Sequence, residues 1–265
     1  MQHNQSESPK DLTEHTSTPY YHAYEQRYST VYASGVDTWG HKPEDVDLVA
    51  ALTDWVHTNN LVGKRVVEFC CGEGASGVIL SKLGCIYTGY DVSPTAIEKA
   101  KQVIADYPTA HCYVRDLVNE PITEKYDAAL DCMGFHMLIT DADRSAYLQN
   151  MTGTLESGSP ALFYREAYSE SVYSGVIDSY EQWLEVTGDD YITPQLRRTF
   201  DGVEVSIPLV PAREKNKNDY IAELTANGFV VDEFVIPKSN PQIINAAIIY
   251  VHLAYQYSNG ENDHD

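Results

Sequence analysis

Three acids and two glycines, at fixed spacing, carry the chemistry open to this chain: Glu68 inside an apolar run, Gly72 and Gly74 just after it, and then Asp91 and Asp116. Gly72 and Gly74 permit a tight reversal in which main-chain N–H groups approach a ligand without a Cβ in the way. A helix beginning there points its partially positive end at the same spot. Asp91 can accept both hydroxyls of a ribose. Glu68 would repel a pyrophosphate and favour a cation, so the set suits a nucleoside that carries positive charge.

The elements that must position these groups follow from pattern. Lys64–Asp91, KRVVEFCCGEGASGVILSKLGCIYTGYD, reads as a strand (Arg65–Cys70), a glycine turn, a helix (Ala75–Leu83) and a second strand (Cys85–Asp91). The first strand is nearly continuous in apolar residues, as in a parallel strand covered on both faces. Gly72–Gly77 (GEGASG) also fits the G-x-G-x-x-G pattern of dinucleotide enzymes. The run V-V-E-F-C-C-G-E-G, with Glu68 in the strand, instead resembles the first motif of class I S-adenosylmethionine-dependent methyltransferases. In that family an acid here lies beside the bound methionine moiety. Cys70 and Cys71 stand where Gly, Cys or Ser are usual.

The resemblance implies an α/β fold: three α/β/α layers, Rossmann-like, with a seven-stranded mostly parallel sheet and an antiparallel last strand. It covers about residues 40 to 165 by motif and 215 to 256 by strand pattern. It implies S-adenosylmethionine as cofactor, S-adenosylhomocysteine as product, and methyl transfer to N, O or S of a small-molecule metabolite. Glu68, Cys70, Gly72, Gly74, Asp91, Val92, Asp116, Leu117 and Asp131 become the cofactor-binding candidates, Val92 packing on the adenine and Asp116 accepting from its amino group. Two alternatives stay open: an NAD-dependent oxidoreductase resting on Gly72–Gly77 alone, and a methyltransferase-like protein that binds cofactor or a partner without turnover.

Other elements follow in order. Residues 1–19 are polar and aperiodic, a mobile tail. In YYHAYEQRYSTVYASGVDTWG the tyrosines recur every four residues, so they line one side of a helix. Such a helix can be stapled to the core by its aromatics; the resemblance implies instead that residues 20–42 are a lid, with Tyr21, Tyr28 and Trp39 as acceptor-binding candidates and Tyr24 as a catalytic candidate. Pro43–Asn60 is a helix. Ser93-Pro94 is a hydroxyl cap with proline at the first helical position, opening a helix to Tyr107. His111–Val114 and Tyr126–Asp131 are the third and fourth strands. The loop after the latter carries His136, a candidate base and acceptor contact, since imidazole titrates near neutrality. A helix from Thr140 to Glu156 precedes the fifth strand, Ala161–Tyr164, whose end brings Arg165 and Tyr168 to the ligand edge. Residues 169–213 break the sheet rhythm, and the resemblance implies that such an insertion builds the substrate pocket, Trp183 included. A helix near Asp219–Gly228 and two strands, Phe229–Ile236 and Ile243–Tyr255, close a single domain over 20–265.

The 265 residues carry a net charge of −21, with hydrophobic content of 43%. A field that negative disfavours nucleic acid and anionic membranes as partners. Together with the tyrosines it favours a neutral or cationic aromatic or amine acceptor. Arg165, Arg197 and Arg198 argue the other way, for a carboxylate. Five cysteines without regular spacing read as reduced thiols, and no His/Asp/Glu cluster demands a metal. No charged-then-apolar leader and no long apolar run are seen, so the expected location is cytoplasmic. A homodimer is left open.

Overall fold

Arg65–Phe69 (β1) sits at the centre of the sheet in the computed structural model, which describes residues 18–198, 202–237 and 245–255. It pairs in parallel with Ile86–Asp91 (β2) on one side and Ala128–Cys132 (β4) on the other. Ala110–Val114 (β3) flanks β2, and Pro160–Ala167 (β5) flanks β4. Phe229–Val235 (β8) and Ala246–Leu253 (β9) complete the order β3-β2-β1-β4-β5-β9-β8, with β9 antiparallel to both neighbours. This is the Rossmann-like sheet that the motifs imply, antiparallel last strand included.

Helices cover both faces because alternate strand residues are apolar on both. Val46–Thr58 (α2), Ala75–Lys82 (α3) and Pro94–Val103 (α4) pack over Val66, Leu130 and Leu162. Asp141–Thr154 (α5) and Lys217–Ala226 (α7) cover Val67, Phe69, Phe163 and Ile249. Each such aromatic or aliphatic side chain contributes about 1.5–3 kcal/mol when fully buried. Caps set the starts. Asp45 accepts from the N–H groups of Asp47 and Leu48, so α2 begins at Val46 rather than at Pro43. Ser93 and Thr140 cap α4 and α5 with their hydroxyls.

Two features depart from the sequence reading. First, β5 runs on to Ala167 and its pairing with β9 slips between Phe163 and Glu166, where Arg165 takes φ +59°. This bulge reverses the in-out alternation. Second, residues 169–213 hold a hairpin beyond the helix expected around Val176–Val186. Tyr180–Thr187 (α6) is followed by a hairpin, Gln195–Arg198 (β6) with Glu204–Ile207 (β7). Each hairpin strand is only 4 residues long and offers too little alternation to be read from sequence. A single 3-10 turn (Tyr20–His22) leads into Ala23–Ala33 (α1), and Val31 and Val36 pack against Val205 and Ile207 of the hairpin. The N-terminal helix and the insertion thus form one wall. Residues 1–17 of the expected tail lie outside the described residues. No described helix is long and apolar enough to cross a membrane.

Candidate active site

Beyond the carboxyl ends of β1, β2 and β4 lies a cavity of about 680 Å³. Its floor is the glycine turn. Gly72 sits at φ +50°, and a Cβ there would stand 2.9 Å from the Tyr28 hydroxyl, so only glycine lets the lid tyrosine come this close. The Gly72 N–H donates to Asp91 Oδ2 at 2.9 Å and the Gly74 N–H to the Cys71 carbonyl at 2.9 Å. These two amides of the turn are therefore already bonded within the chain. Gly74 itself caps α3 and packs on Ala100, outside the cavity lining. Gly77 leaves room for the ring of Tyr87, which a Cβ would meet at 2.6 Å.

The acids differ in environment. Glu68 is 1% exposed, accepts a hydrogen bond from Tyr87 and faces the cavity; burial pushes it up to about 8. Asp91 also accepts from the Ser93 N–H at 2.9 Å, and burial raises it to about 6. Both resist ionisation here and would be relieved by a cation or by hydroxyl donors. For Asp116 burial is more than offset by hydrogen bonds from Asn119, Tyr21 and the Val118 N–H, which hold it below the usual range. Val92 and Leu117 line the cavity between Asp91 and Asp116, as does Cys70. Burial drives the Cys70 thiol well up, and its Sγ lies 3.3 Å from the Tyr147 hydroxyl.

His136 lies on a 3-10 turn after β4 and lines the cavity. Its Nδ1 is 2.9 Å from Glu166 Oε2, and its backbone N–H donates to that same oxygen at 2.8 Å. An oxygen already accepting the main-chain N–H is best placed to accept the ring hydrogen too, so we assign the Nδ1–H tautomer, with the lone pair on Nε2. Burial holds His136 down to about 4 and pushes Glu166 up to about 7. Asp131 stands behind this pair. It accepts from Gly134 N at 2.8 Å, Phe135 N at 3.1 Å and the Tyr147 hydroxyl. Burial, and Glu166 beside it, push Asp131 well above the carboxylate range.

Several sequence candidates are not brought together. Asp131 does not reach the cavity; it shapes the loop that carries His136. Arg165 is turned by the bulge to the opposite face, where Nη2 holds Asp47 Oδ2 at 2.8 Å. Tyr168 bonds Glu170 and packs by Phe234. Trp183 is buried with Ile139 and Ile177, its indole N–H donating to Tyr191 at 2.9 Å. Tyr24 does line the cavity, but its hydroxyl donates to the Pro211 carbonyl at 3.0 Å and burial raises its pKa, so it is a poor base.

Two residues that sequence reasoning passed over are central. Glu166 was hidden because the bulge swaps it with Arg165. Glu73, 5% exposed inside the glycine turn, accepts from the Trp39 N–H at 2.8 Å, the Gly40 N–H at 2.9 Å and the Tyr32 hydroxyl. It ties the N-terminal wall to the floor. Nothing in the spacing of Glu73 marks that role.

Residues 66–158, which hold the floor and the His136 loop, match the family model described as a methyltransferase domain. Over that segment the chain is similar to methyltransferase domains. Solved structures share its fold. The CcbJ methyltransferase of Streptomyces caelestis matches with a TM-score of 0.62, covering 87% of this chain and 99% of that one at 14% identity. Magnesium protoporphyrin IX methyltransferase (ChlM) of Synechocystis PCC 6803, solved with S-adenosylmethionine, gives 0.61 over 90% and 99% at 14% identity. The 1,6-didemethyltoxoflavin-N1-methyltransferase of Burkholderia thailandensis, solved with that acceptor and S-adenosylhomocysteine, gives 0.60 over 94% of each chain at 12% identity. At these identities the likeness is one of fold. No curated protein matches the chain.

Proposed function

We propose that the methyltransferase domain transfers the methyl group of S-adenosylmethionine to nitrogen, oxygen or sulfur of a small metabolite held under the N-terminal wall. The observation that carries this reading is the Glu68–Gly72–Asp91 constellation, with the turn amides bonded inward and two buried carboxylates facing the cavity. Such a floor suits a cationic nucleoside, whose charge would draw Glu68 into its ionised form, and an ionised Glu68 repels a pyrophosphate, against the NAD alternative. When bound, the cofactor supplies an electrophilic methyl on a sulfonium sulfur.

The residues divide the work. Asp91 would accept the ribose hydroxyls, with Glu68 beside the amino-acid end, and Val92 and Leu117 would flank the adenine. Asp116 is already engaged by Tyr21 and Asn119, so its part is to hold the wall as much as to meet the adenine. His136 Nε2 takes the proton of a hydroxyl or ammonium acceptor, while Glu166 keeps the ring oriented through Nδ1. An acceptor that arrives deprotonated needs only alignment, which can supply about 7–11 kcal/mol.

Residues 20–42 act as a lid and the hairpin side of 169–213 as the acceptor wall, within one domain. A net charge of −21 speaks against nucleic acid as a partner. A cytoplasmic location is the setting that suits five free thiols. The test is release of S-adenosylhomocysteine from S-adenosylmethionine with panels of hydroxy, amino and thiol metabolites. Binding without any turnover across all three panels would favour the non-catalytic alternative.

A further inference from the structure

Arg27 of α1 and Arg197 of β6 both line the cavity, one from each half of the wall. Arg27 donates from Nη2 to the Pro208 carbonyl at 3.0 Å, and its guanidinium carbon lies 5.1 Å from the centre of the Trp39 ring. The Nε of each is buried without a hydrogen-bond partner. Elsewhere the buried guanidiniums are paired: Arg144 with Glu223, Arg165 with Asp47 and Arg213 with Asp141. In a chain with 39 acids and 18 basic residues, Arg27 and Arg197, two of the three arginines that line the cavity, have no carboxylate partner among the described residues. Burial disfavours the charge on Arg27, and the charge on Arg197 disfavours it further.

Two guanidiniums without a carboxylate partner, lining one cavity from its wall side, form a receptor for an anion. The planar fork of arginine matches a carboxylate with paired N–H donors. The surrounding side chains, Trp39, Tyr24, Leu209 and Val210, are aromatic or aliphatic. The acidic surface does not oppose this locally, because its charges are screened over about 8–10 Å in physiological salt.

We infer that Arg27 and Arg197 bind the carboxylate of the methyl acceptor, which is therefore a small aromatic or apolar carboxylic acid. The inference rests on the methyltransferase reading, and it replaces the amine acceptor expected from net charge. The same carboxylate chemistry also exists on the cofactor's amino-acid end, so the test separates the two.

The experiment is calorimetric titration of the full chain, first with S-adenosylhomocysteine and then, saturated with it, with 4-hydroxybenzoate, phenylacetate and 3-phenylpropionate and the neutral amide of each. Carboxylates are expected to bind at least about tenfold more tightly than their amides, and Arg197→Gln or Arg27→Gln to remove about tenfold of that affinity each. Affinity for S-adenosylhomocysteine should be unchanged. Because Arg27 stacks on Trp39, Arg27→Lys and the ligand-free melting temperature accompany it, and Arg197→Gln stands independently on the hairpin. Acids and amides that bind alike, or acids that do not bind, overturn the subsite. Lost affinity for S-adenosylhomocysteine in the arginine variants assigns the pair to the cofactor and overturns it too. Failure of the unaltered chain to bind S-adenosylhomocysteine would instead overturn the methyltransferase reading on which it rests.

Discussion

Glu166 Oε2 lies 2.9 Å from Nδ1 of His136 and 2.8 Å from the backbone nitrogen of the same residue, so one carboxylate oxygen fixes both ring and main chain. Because burial holds His136 down to about 4, the ring should stay neutral from about pH 5.5 to 8, where an exposed imidazole titrates. Nitrogen-detected NMR of the ring tests this; a titration centred near 6.5 would contradict it. With an acceptor that arrives protonated, His136→Asn should lower kcat by roughly 10²–10⁴-fold. Glu166→Gln should lower it less and change the tautomer seen by NMR.

Glu73 holds Tyr32, Trp39 and Gly40 against the glycine turn. Its removal leaves buried donors without acceptors, at about 1–3 kcal/mol. Glu73→Ala should therefore lower stability by about that much in urea and speed release of S-adenosylhomocysteine in stopped-flow mixing. Unchanged release would mean that the wall does not act as a lid.

The wall and the bulge mark where the sequence stopped being legible. The strand–turn–helix–strand plan was readable because apolar runs, glycines and caps such as Ser93-Pro94 are local signals. Glu68, Gly72 and Asp91 were readable because their spacing along one strand-turn-strand unit sets their positions in space. Arg165 and Trp183 failed for a different reason. Which way Arg165 faces depends on a slip in pairing with β9, some 80 residues later in the chain. Trp183 looked like a pocket aromatic, but the choice between core and pocket is made by Ile139 and Ile177, which are distant in sequence. Arg27 sat unremarked within a tyrosine helix, because only the hairpin's Arg197 gives it meaning.

Glu68 supplies a pH dependence whose sign is fixed. Its pKa rises from 4.5 to about 8 on folding, mainly through burial. Between those values the folded chain holds a proton that the unfolded chain has lost, so stability falls as pH rises through the window. Glu166 at about 7 and Asp91 at about 6 act in the same direction. His136, lowered to about 4, acts oppositely but only below about 6.5. The ligand-free melting temperature should thus fall by several degrees from about pH 6.5 to 8.5, and Glu68→Gln should flatten that slope. A rising melting temperature over this range would exclude a protonated Glu68.

Two glycines should respond in opposite ways to alanine. Gly72, at φ +50° and facing the Tyr28 hydroxyl at 2.9 Å, has no room for a methyl group, so Gly72→Ala should destabilise by about 1–3 kcal/mol. Gly153, inside α5, has nothing within 4 Å of the new methyl. Gly153→Ala should stabilise by about 0.5–1 kcal/mol through helix propensity. Thermal unfolding of both variants checks the pair.

The most direct test of the cofactor assignment is a thermal-shift titration of the full chain with S-adenosylmethionine, S-adenosylhomocysteine and NAD in parallel. A ligand at 100 times its dissociation constant adds about 2.7 kcal/mol to a single-site protein, which a melting curve resolves easily. The account predicts a rise with the first two, none with NAD, and loss of the rise in Asp91→Ala. A rise with NAD alone would contradict it.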